Sequence, residues 1–138
     1  MTTIKSYTDI EQSRKLAEFL PLESADMFCA DVFNKEKEIH SYNFHILSTW
    51  GCNTFEELKD RENKFVGFIP VWSFAALLSV LPDTITSNNG IAFKLNIKKS
   101  IIEYSNPSLY LIYKSVKSDN PVDACYEMIL KLNESKLL

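Results

Sequence analysis

The sequence predicts an α+β fold in one domain spanning residues 1–138, and three segments carry that prediction. They are an apolar helix opened by Ser73, a strand of strict alternation from Ile91, and a closing helix capped by Asn120. Helices, then a short antiparallel meander, then a helix is the order expected when helices and strands segregate along the chain.

The first helix is read from Thr8, which stands three residues before Glu11 in capping-box spacing. Ile10, Leu16, Ala17 and Leu20 lie along one helical stripe and Pro21 closes the element. Ala25, Phe28, Cys29, Val32 and Phe33 also fit helical spacing and are read as a second helix, although a short apolar run suits a strand as well. Residues 38–50, with Ile39, Tyr42, Phe44, Ile46 and Leu47, read as a strand without a fixed register. Thr54 and Glu57 form another capping box, for a short helix through about Arg61.

The central helix lies between Pro70 and Pro82. Ser73 is its expected N-cap, and Trp72 precedes it in position to staple onto Leu77. Ser87-Asn-Asn-Gly90 is a turn, after which Ile91, Phe93, Leu95 and Ile97 alternate with Ala92, Lys94, Asn96 and Lys98. Ile101–Tyr104 and Leu109–Val116 complete the meander, near 91–116, broken at Asn106-Pro107. In the last helix Asn120 caps, Pro121 takes the first position, and Val122, Cys125, Ile129 and Leu132 form the buried stripe. Glu127 and Lys131 make an i,i+4 pair on its outer side.

Pro70–Pro82 and Asn120–Leu132 resemble signature segments of small uncharacterised proteins of Bacteroides-type bacteria and their phages or mobile elements. Leu20–Met27 is similar to a third segment of that group. The resemblance covers about a quarter of the chain, implies a bacterial or phage origin, and brings no activity, ligand or site residue with it.

Composition narrows the function classes. Fifteen Lys and Arg against eighteen Asp and Glu give a net charge of −3, the wrong sign for unaided binding to phosphate backbones. Three glycines leave no room for a P-loop or a dinucleotide fingerprint. Three dispersed cysteines make neither a disulfide framework nor a zinc pattern. The N-terminal residues lack a signal-peptide core, and the apolar run Phe74–Leu81 is too short to span a bilayer, so the chain reads as cytosolic with no membrane partner.

Each candidate for chemistry has a plainer reading beside it. Cys125 lies a turn inside its helix on the apolar stripe, and both it and Cys29 read as buried structural thiols. Cys52, in the polar turn Gly51-Cys-Asn-Thr, reads as exposed. His40 and His45 fall on opposite faces of a strand and share no metal. Glu23, Asp26 and Asp31 suggest an acid/base cluster, but Asp26 serves equally as a cap. Lys94, Lys98, Tyr104, Tyr110 and Lys114 outline a possible single-strand nucleic-acid face, with Lys99, Lys117 and Tyr113 nearby. Lysines blunting a sheet edge explain it more simply. Trp50, beside Gly51 in a loop, is the interface candidate.

No catalytic, cofactor or metal residue is singled out. The leading expectation is a small intracellular interaction or regulatory module with a protein partner or self-association. A small enzyme whose site assembles only in the fold, and a weak single-strand binder using the meander, are the alternatives.

Overall fold

A computed structural model describes residues 5–55, 57–58 and 67–138. The fold is α+β, with two antiparallel sheets. Its contacts divide it into two compact units, Tyr7–Ala76 and Leu77–Leu138 together with residues 1–6.

The Tyr7–Ala76 unit opens with α1 (Ile10–Ala17). Its cap lies one residue later than Thr8: Asp9 Oδ1 accepts from the Gln12 N–H at 2.8 Å, and Gln12 Oε1 accepts from the Asp9 N–H. Thr8 is engaged elsewhere. Its hydroxyl lies 2.7 Å from Ser13 Oγ and accepts from the Trp72 N–H, while its own N–H donates to the Trp72 carbonyl.

The second expected helix is a strand. β1 (Met27–Asn34) is the centre of a three-stranded sheet, between β2 (Ile39–Ile46) and β3 (Gly67–Val71). Met27, Cys29, Ile69 and Val71 form a core on one face, with Tyr7, Ile10 and Phe44 against it. Phe28 belongs to a second core with Leu47, Cys52, Phe55 and Leu58. A strand buried on both faces loses its alternation, and the resulting apolar run mimics helical spacing. Pro70 fits β3 because it faces Phe28 at an edge strand, where the missing N–H costs no ladder bond.

Beyond β2, Leu47–Trp50 forms a 3-10 turn ended by Gly51 in the left-handed region, φ +70°. Phe55, Glu57 and Leu58 are helical, and Thr54 Oγ1 accepts from the Glu57 N–H. The Glu57 carboxylate accepts from Asn53 rather than completing the expected box on Thr54. The expected end of that helix near Arg61 lies outside the described residues.

α2 (Phe74–Val80) spans the boundary between the units. Ser73 caps it as expected, Oγ accepting from the Ala76 N–H at 3.2 Å. The Ser73 hydroxyl in turn donates to Asp26, whose carboxylate also accepts the Ser73 N–H.

The second unit carries the meander, in order β4 (Thr84–Thr86), β5 (Ala92–Ile97), β6 (Ile101–Asn106) and β7 (Leu111–Lys117). β4 has no counterpart in the sequence reading. Gly90 turns at φ +80°, with its N–H on the Ser87 carbonyl. α3 (Pro121–Glu134) packs on β6 and β7, capped by Asn120, whose Oδ1 accepts from Val122 and Asp123. Val122, Cys125, Ile129 and Leu132 are fully buried. Lys131 reaches back to donate to the Ser115 carbonyl at 3.4 Å.

Candidate interaction surfaces

Two hairpins carry most of the exposed large apolar side chains. In the first, β1 and β2 pair without interruption from Met27↔Ile46 to Asn34↔Ile39. Directly paired residues share a face. Asp31, Phe33, His40 and Tyr42 therefore project on one side of the hairpin's outer half, and Val32 and Ile39 on the other. Val32, Phe33, Ile39, Tyr42 and Ile46 are all exposed. At the turn, Asn34 Oδ1 accepts from Glu36 and Lys37, and Glu38 sits at φ +54°.

His40 organises the first of these faces. Its Nδ1 lies 2.7 Å from Asp31 Oδ1, and its ring packs 4.8 Å from Phe33 and stacks at 6.0 Å on Tyr42. His45 turns the opposite way, against Phe28 and Trp50. Trp50 is 45% exposed and meets Phe28 edge-on at 5.7 Å. Period-two placement puts the two histidines apart, and the Asp31–His40 pairing had no signal in spacing because nine residues and a turn separate them.

The imagined carboxylate cluster divides. Asp26 buttresses the cap of α2 and Asp31 pairs with His40, while Glu23 lies in a 3-10 turn, Leu22–Ser24. Among the described residues no group of three His, Cys, Asp or Glu could hold a metal ion.

The second hairpin joins β6 to β7 through Asn106–Tyr110. Leu109, Tyr110, Leu111, Ile112 and Tyr113 are five consecutive exposed residues, and Tyr110, at φ +52°, is 95% exposed. The surrounding segment 84–118 has five lysines and one glutamate. The structure nevertheless breaks up the lysine–tyrosine face. Tyr104 is fully buried, its hydroxyl donating to the Pro82 carbonyl at 2.7 Å, because its row of the sheet turns inward. Lys114 pairs with Tyr104 and Lys94 with Ser105, so these two lysines lie on opposite faces. Lys98 is paired with Glu103 at 3.4 Å, and Tyr113 stacks 5.0 Å from Phe93 with the Lys114 ammonium over its ring.

All three cysteines are buried, and none forms a disulfide. For Cys52 this corrects the expected exposure: the left-handed Gly51 turns the chain so that the next side chain enters the Phe28 core. Burial pushes the Cys125 thiol up to about 12, and burial with the nearby Asp31 charge raises Cys29. Below the ordinary thiol value of 9.0 both states keep these protons, and above it the unfolded chain ionises first. Stability should therefore fall as pH rises from 9.0 toward about 12. Burial raises Tyr104 in the same direction. Near neutral pH no thiol should react with a chromogenic disulfide reagent until denaturant is added. Fast reaction of the native protein would contradict the burial.

No helix among the described residues is long and apolar enough to cross a membrane. No protein-family model, curated protein or solved structure matches the chain.

Proposed function

We propose that the protein is a small interaction module, acting inside a bacterial cell and encoded by the bacterium or one of its mobile elements. The gathering of exposed large apolar side chains on two hairpins supports it, since scattered single residues would need no explanation and contiguous ones mark contact surfaces. The resemblance of the Pro70 and Asn120 segments supports the bacterial origin. A single-strand nucleic-acid role is weaker, because the one tyrosine central to the meander is buried.

A photo-crosslinking residue at Phe33 or Tyr110, expressed in a bacterial host of the Bacteroides type, tests the reading. Discrete adducts are expected from both positions and none from Glu127 on the outer side of α3. Adducts no more frequent at the hairpins than at Glu127 would overturn it.

A further inference from the structure

Among the described residues the two sheets have four edge strands, and three of them carry a feature that discourages further pairing. β3 holds Gly67 and Pro70, β7 holds Lys114 and Lys117, and β4 is three residues long. Proline, lysine and shortness are the usual means by which an edge is kept from recruiting another strand. β2 has none of them. It is eight residues, Ile-His-Ser-Tyr-Asn-Phe-His-Ile, without Lys, Arg, Asp, Glu, Pro or Gly, and its register with β1 is unbroken. Among the described residues it pairs only with β1.

The backbone phase of that edge can be read. The Leu47 N–H donates to the Asp26 carbonyl, which makes this a hydrogen-bonded pair and fixes the alternation along the ladder. Ile39, Ser41, Asn43 and His45 thus turn their amides toward β1. His40, Tyr42 and Phe44 turn theirs outward, and their side chains share one face.

From this the geometry points to a second copy of the same chain as the occupant of the β2 edge, antiparallel about a twofold axis beside Tyr42. The inference rests on the reading of the protein as an interaction module and names its partner. A twofold axis normal to the sheet pairs only residues of like parity. Centred on Tyr42, it sets Tyr42 opposite itself and His40 opposite Phe44 of the other copy, three aromatic pairs on one face. The other face pairs Ile39 with His45 and Ser41 with Asn43. Charge does not oppose this occupant. With fifteen basic against eighteen acidic residues the net charge of −3 sets up only weak repulsion between copies, and β2 itself brings no carboxylate or ammonium to the axis, so no like charges face each other there. Two three-stranded sheets then become one of six, with no backbone edge left open at β2.

Sedimentation of the full chain over a concentration series should show a monomer–dimer equilibrium. Tyr42→Lys places like charges opposite each other and should weaken the dimer on the order of tenfold or more, with an unchanged circular dichroism spectrum. Tyr42→Phe should retain it. Because the native thiols are buried, Tyr42→Cys gives a specific reporter: it should oxidise to a covalent dimer, and Thr84→Cys on β4 should not. A strict monomer at all concentrations, or a dimer indifferent to Tyr42→Lys, would overturn self-pairing, and a cross-link from Asn43→Cys but not Tyr42→Cys would overturn the register. A strict monomer that still gives adducts with another protein from Phe33 would leave the interaction module standing and remove only the second copy.

Discussion

Replacing Trp72 with alanine is expected to cost about 3–5 kcal/mol of stability, the range for losing a large aromatic from a closed core. The indole is fully buried, and its Nε1–H donates to Ser24 Oγ at 2.9 Å. Its backbone exchanges hydrogen bonds with Thr8, so the residue joins the strand before α2 to the chain before α1. Truncation leaves a cavity where the ring stood and removes the donor from Ser24. Trp72→Phe keeps most of the volume and loses the hydrogen bond, and should fall between wild type and Trp72→Ala. Urea midpoints followed by circular dichroism decide it. A loss under 1 kcal/mol for Trp72→Ala, well below the usual range, would mean that the ring is not packed as described.

Tyr104 gives the second large effect. Tyr104→Ala should also cost about 3–5 kcal/mol by analogy with other buried aromatics. Tyr104→Phe isolates the hydroxyl: the Pro82 carbonyl loses its donor, and about 1–2 kcal/mol should follow. This pair also separates packing from ligand stacking. A buried ring that serves the core changes the denaturation midpoint and leaves any binding of single-stranded nucleic acid where it was. A drop in such binding with unchanged stability would restore Tyr104 to the surface.

The elements most legible in the sequence are those whose signals are local. Asn120-Pro121 announces α3 because a side-chain acceptor and a residue without an N–H meet the needs of a helix start within three positions. Gly90 and the alternation after it give β5 for similar reasons. β1 was hidden by being central. With Phe28 packed on one side and Cys29 on the other, its apolar residues follow no period of two. Thr8 illustrates a finer failure: two adjacent residues both suit a cap, and the choice was made by Trp72, sixty-four positions away. Of the candidate sites, Trp50 is exposed as its loop position suggested, while Tyr104 and Cys52 are withdrawn into cores that spacing does not reveal. The place of β2 at the edge of its sheet, among the described residues, was unreadable for a related reason. Whether a strand is an edge depends on which strands it pairs with, and that is settled by residues far along the chain.

Both tryptophans, Trp50 and Trp72, fall in the Tyr7–Ala76 unit, and the Leu77–Leu138 unit has four tyrosines, Tyr104, Tyr110, Tyr113 and Tyr126, but no tryptophan. Indole emission therefore reports on one unit alone, while far-ultraviolet ellipticity averages over both. Superimposed melting curves from the two signals would show the halves unfolding as one cooperative body, and a gap between them would measure the difference in their stabilities without any label being introduced.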